Sequence, residues 1–185
     1  VPDSQNSPTA QIQAIFTDTT SQGWKPETSR GASDEQIWEF TRSQGAPAIP
    51  EALREVYRLI GAAPGLWFSG STFGVIDTGP QLKEEAADLL KDTAIDVREA
   101  LVLTGHGGYE YQFIPAPLIN LEAPPVWMAR EADDEDEGDE PVVTETWPSV
   151  VEWFRSASNN VLRWRETLAA RPGSGEELVR KYFSH

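Results

Sequence analysis

The stretch Ala100–Ile114, "ALVLTGHGGYEYQFI", decides the fold. Two apolar runs flank "GHGG", and glycine's tolerance of positive φ makes that link a tight turn. The pattern predicts a hairpin of strands over 100–104 and 109–114. His106 between glycines has three readings: part of an oxyanion loop, a metal ligand, or a turn residue. A zinc site needs three or four ligands, and the other histidine in the chain is His185. There is no cysteine, so disulfides, thiolate nucleophiles and cysteine zinc sites are excluded. The nearest match to a serine nucleophile elbow, "FSGST" at 68–72, lacks the first glycine, and "GSG" at 173–175 lies in a linker. "TGHGG" also lacks the Lys-Ser/Thr ending of a phosphate loop, and it joins strand to strand, so no helix N-terminus follows it. The turn reading of His106 is preferred. The residues therefore point to no catalytic group, no metal site and no cofactor, and to a protein that is not an enzyme.

Outward from the hairpin, 126–130 and 141–146 are two further β-like runs, and "LWFSGSTFGVI" (66–76) reads as one or two strands with a turn. Before the strands, Ser33 and Gln36 form a capping-box pair ahead of Ile37 and Phe40, and Gly45 stops that helix. Pro50 opens a second helix carrying Leu53, Val56, Tyr57 and Ile60 at helical spacing, and Gly61 ends it. "QLKEEAADLLK" (81–91) is a third. After the strands, "WPSVVEWFRSASNNVLRWRETLAA" is helical, in two parts split near "SNN". "RPGSG" is a flexible joint, and "EELVRKYF" a last amphipathic piece. At the N-terminus "SPTAQIQAIF" predicts a short helix begun by Ser7-Pro8, with loop to residue 32. Helices first, strands in the middle and helices last define an α+β domain with a mostly antiparallel central sheet packed by N- and C-terminal helices. The boundaries fall at 1–32, a partly disordered extension; 33–157, the domain; and 158–185, a C-terminal helical extension.

The 185 residues carry 30 acidic and 15 basic side chains, a net charge of −15. That balance disfavours nucleic acid and anionic membranes and favours basic partners. Eight carboxylates lie in "EADDEDEGDE" (131–140), which has no Lys or Arg. The run has three readings: a solvated mobile loop, a calcium loop, or an arm that steers a basic partner. The alternating Asp-x-Asp-x-Asp-Gly order of a calcium loop is absent. The first and third readings are compatible. They make Asp133, Asp134, Glu135, Asp136, Glu137, Asp139 and Glu140 candidate partner-binding residues. Trp38, Trp67, Trp127, Trp147, Trp153 and Trp164 mostly sit beside aliphatic residues and read as core. Trp67 and Trp127 flank turns and are the candidates for a binding surface. No run approaches the ~20 apolar residues that span a bilayer, and no signal peptide opens the chain, so a cytoplasmic location is expected.

"IWEFTRSQGAPAIPEALREVYRLIG" resembles the opening of SUKH superfamily (Smi/Knr-like) domains, with Gly45, Ile49-Pro50 and Tyr57 as its marks. "ALVLTGHGGYEYQFI" resembles the central hairpin of that family. "PPVWMAR", a charged loop, "VVTETWPSVVEWF" and a closing helix complete the order over roughly residues 33 to 157. The chain departs from the family in having "IGAAPG" where members often carry Asn-Gly, and in its extensions at both ends. The resemblance implies a non-catalytic bacterial immunity protein that binds and neutralises a polymorphic toxin, often a nuclease or deaminase. The alternative it implies is a regulatory or scaffolding module of the Smi/Knr type with no toxin partner.

Overall fold

The computed structural model of the protein describes residues 7–133, 138 and 140–184. It is an α+β structure of six helices around a five-stranded sheet, with every neighbouring strand pair antiparallel. The strands are β1 (Thr72–Phe73), β2 (Leu101–His106), β3 (Glu110–Ile114), β4 (Val126–Arg130) and β5 (Val142–Trp147), and they lie side by side in chain order. The helices are α1 (Pro8–Ser21), α2 (Asp34–Ser43), α3 (Glu51–Ile60), α4 (Gly79–Leu90), α5 (Val150–Ala169) and α6 (Gly175–Tyr182). No helix among the described residues is long and apolar enough to cross a membrane.

The hairpin at the centre forms as its sequence requires. Gly107 (φ +59) and Gly108 (φ +83) both take the left-handed conformation in the three-residue connection 107–109, which only glycine adopts without strain. The Tyr109 N–H donates to the His106 carbonyl at 3.1 Å and closes the turn. His106 is the last residue of β2, paired with Glu110.

Alternation along the strands gives the sheet two buried faces. On one face Gly105 and Tyr111 lie under α4, where the Tyr111 hydroxyl donates to Glu85 Oε2 at 3.0 Å. On the other, Phe73 packs on Tyr57 of α3 and Trp153 of α5, and the Trp153 indole donates to Gln112 Oε1 at 2.8 Å. The capping box at Ser33 and Gln36 starts α2. At its other end the buried Gln44 side chain behaves like a strand residue. Its amide donates to the Val102 carbonyl at 2.8 Å and its oxygen accepts the Val102 N–H at 2.7 Å, beside the irregularity in β2.

Four expectations from the sequence are corrected. The N-terminal helix continues through "TDTT" to Ser21, because Thr17, Thr19 and Thr20 donate their hydroxyls to carbonyls four residues back. The C-terminal helix is not split near "SNN": α5 runs unbroken for 20 residues. One contact accounts for both. The buried Thr19 and Ser158 hydroxyls meet at 2.7 Å, so residues that read as helix breakers are the polar seam between α1 and α5. Third, of the one or two strands with a turn read in 66–76, one forms and is confined to Thr72–Phe73. Gly65, Phe68, Gly70 and Gly74 all have positive φ, which turns the chain instead of extending it. Fourth, the boundaries at 33 and 157 cut through one interior. A single hydrophobic cluster includes Ile12, Ile15 and Trp24 before the first, and Val161, Leu168 and Phe183 after the second. The two ends are also clasped. Trp24 and Phe183 bridge antiparallel, the Lys25 N–H donates to the Tyr182 carbonyl at 2.9 Å, and the Ser184 N–H donates to the Gly23 carbonyl at 2.7 Å.

Candidate functional site

The acidic run connects β4 to β5, so it forms the loop of the second hairpin. Its described ends are exposed: Glu131, Asp133 and Glu140 face solvent, with Asp133 paired to Arg130 at 3.2 Å. Asp134, Glu135, Asp136, Glu137 and Asp139, together with the mobility expected of the loop tip, lie outside the described residues. The sequence reading missed what stands beside this loop. Asp88 and Asp92 of the α4 end share a shallow depression with Glu131, Asp133 and Glu140. Glu85 and Asp88 lie one turn apart on one face of α4, and Asp92 stands in the turn just past its end. Tyr111 registers the resulting field. Burial, its hydrogen bond to Glu85, and the charges of Glu85, Glu131 and Asp88 push its phenol up to about 12. The acidic surface is therefore assembled from two separated segments. Within it Lys91 is held by Asp88 at 3.2 Å and Arg130 by Asp133.

The two tryptophans expected at a binding surface are not there in that form. Trp67 is 1% exposed, stacked between Phe16 and Phe154 and edge-on to Trp24. Turns flank it in sequence, but the turns fold it inward. Trp127 is half-buried against the core beside Phe113, and its buried indole N–H meets no acceptor among the described residues. Trp38, read as core, is 45% exposed on α2.

On the sheet face opposite α4, a cleft of about 290 Å³ opens between the 66–71 turn, β3, the end of β5 and α5. Phe68, Trp147, Trp153 and Trp164 form its aromatic walls, and Gln112, Asn160 and Arg163 supply polar groups. Asn160, Arg163, Trp164 and Thr167 share one helical face. That i, i+3, i+4, i+7 spacing of mixed aromatic and polar residues was the available sequence signal. Phe68 reaches the cleft from a left-handed backbone (φ +53), its ring stacked on Phe73 and Trp153. His106 lies near the rim. Its Nδ1 is 3.3 Å from the Ser71 hydroxyl, and its ring meets Tyr109 edge-on. Among the described residues no carboxylate bonds the imidazole, so the Ser71–His106 pair lacks the third group that orients a catalytic base. Among them, too, no three His, Cys, Asp or Glu side chains are grouped to hold a metal.

Among the described residues no strand pairs with the outer side of β5. Thr144, Glu145 and Thr146 of β5 are exposed, and β5 is the last strand in the sheet order. Compared with known proteins, the chain matches no family model, no curated protein and no solved structure.

Proposed function

We propose that this protein is a SUKH-type immunity protein, a non-catalytic inhibitor that binds a basic toxin domain in the cytoplasm of the cell that makes it. The toxin class that fits is one acting on nucleic acid, a nuclease or deaminase, whose substrate cleft must be cationic. One observation carries this reading: the acidic hairpin loop stands beside the carboxylates of α4, so negative charge from two segments converges on one side. Clustered charge of that kind raises association rates by roughly 10–10³-fold at low salt. The order of sequence features shared with the superfamily supports it further.

The test is binding kinetics at two ionic strengths. The probe is a small basic nuclease or deaminase toxin domain, sought first in the genes neighbouring this one, and the variant carries Asp133→Ser, Asp134→Ser, Asp136→Ser and Glu137→Gln together. The parent is expected to inhibit the toxin at one-to-one stoichiometry. The variant should associate more slowly with a flatter salt dependence, while dissociation and thermal stability change little. Absence of binding would overturn the immunity reading. Equal on-rates for parent and variant at both ionic strengths would remove the loop from it.

A further inference from the structure

We infer that β5 is a docking edge on which an extended, cationic segment of a partner protein adds as a sixth strand of the sheet. The inference rests on the reading of this molecule as a binder of a basic protein, and it names where and how that partner is held.

An edge strand carries backbone groups with no neighbour. In an antiparallel pair alternate residues turn their N–H and C=O toward the partner strand, and the residues between turn theirs outward. Among the described residues only β4 pairs with the β5 backbone. Proteins ordinarily blunt such edges with charged side chains, Lys above all, with proline inside the strand, with bulges, by shortness, or by covering them. β5 carries one charge, Glu145, and one shift of register, at its Trp147 end. "VVTETW" has neither Lys nor Pro; Pro141 and Pro148 stand just outside it. The opposite edge, β1, is two residues long and is blunted by shortness. The β5 ladder is in register from Val142 to Glu145 and shifts only past that point, so four consecutive residues offer a regular template. Four of the six residues of β5 are β-branched, which suits pairing.

Charge selects the occupant. The one charged side chain on the strand is Glu145, and the eight carboxylates of 131–140 are tethered to its N-terminal end. A second copy of this chain would bring its own Glu145, its own acidic loop and a net charge of −15 against this one. Like charges opposed across strands destabilise pairing, whereas a Lys or Arg on an incoming strand opposite Glu145 meets a complementary charge. At the far end of β5, Trp147 is a wall of the aromatic cleft, so a side chain of the added strand near it has a pocket to enter. Backbone pairing supplies affinity and such a pocket supplies selectivity.

The experiment is amide hydrogen exchange on the full chain with two synthetic peptides of equal charge and length, about ten residues. One alternates lysine and valine and favours extended pairing; the other alternates lysine and glycine and does not. The valine peptide should slow exchange at alternate amides of 142–147 about tenfold or more, and the glycine peptide should leave those amides unchanged. Thr144→Pro and Glu145→Pro complete the test, because only one of these neighbours turns its N–H outward. The variant that keeps the parent's thermal midpoint is the one that removes an outward donor, and it should lose the peptide-induced protection. If both peptides bind without slowing any amide of β5, the docking edge is overturned, while toxin binding through the acidic surface stands. If those amides are already protected without peptide, and sedimentation shows a dimer, the occupant is a second copy and the inference also fails.

Discussion

Tyr111 couples the fold to the acidic surface through one proton. Its phenol lies well above the ordinary 10.0, at about 12, through burial, the hydrogen bond to Glu85 and the neighbouring carboxylates. A folded-state value above the unfolded one means that the native protein holds the proton more tightly. The stabilisation is complete below pH 10 and is lost as pH rises toward 12. Tyr111→Phe should therefore make stability fall less steeply with pH across that window, as read from urea midpoints between about pH 9 and pH 11.5. The Thr19–Ser158 seam makes a second residue-scale expectation. Thr19→Val leaves the buried Ser158 hydroxyl short of a partner and should cost about 1–3 kcal/mol. Adding Ser158→Ala should cost little more, giving a coupling of about 0.5–3 kcal/mol in a double-mutant cycle.

Among the elements, the turn between β2 and β3 is the one whose chemistry is most fully determined. A Cβ on Gly108 meets nothing within 4 Å, so only its positive φ resists substitution. Gly108→Ala should lower stability by about 1–2 kcal/mol, and Gly108→Asn by less, since asparagine tolerates the left-handed region. Gly107→Ala should cost more than either, because its Cβ would press on the Tyr109 ring. Denaturant midpoints order the three. The same turn marks how far the sequence was legible. The central strands could be read because two glycines, flanked by apolar and aromatic runs, have one economical structure. Residues 66–71 could not, since Phe68 is a strand former by type and takes a left-handed backbone only because Phe73 and Trp153 hold its ring. The threonines of α1 and the serine of α5 misled in the same way. Their helical state depends on a neighbour that is 139 positions away in the chain. For the candidate site, the hairpin loop was legible as charge, but the α4 carboxylates beside it became part of one surface only through folding. Trp67 failed as a surface residue because flanking turns say where the chain reverses and not which way a ring points.

Charge is polarised over the molecule as a whole. Residues 1–149 hold 26 acidic and nine basic side chains, while 150–185 hold four and six, so the closing helices carry the opposite sign. A basic partner of the kind proposed would be drawn toward α4 and the second hairpin and away from α5 and α6. The open edge of β5 adjoins that hairpin loop, which places the encounter charge and the pairing edge within one approach. Long-range attraction and backbone pairing then make separable contributions. Salt should alter the speed of encounter, and a proline at the outward-facing position of β5 should alter the lifetime of the complex.

The clasp between Trp24 and Phe183 fixes an order of events in folding. Each strand of the meander finds its partner next along the chain, which costs less loop-closure entropy than the clasp between positions 24 and 183. The clasp belongs on the native side of the transition state. Phe183→Ala should remove about 3–5 kcal/mol of stability. That loss should appear almost wholly as faster unfolding in a chevron experiment, with the refolding arm unmoved. A slowed refolding arm would instead place the ends of the chain in the folding nucleus. Resistance to unfolding in this protein is then set by the contact that holds α1 and its following turn to α6.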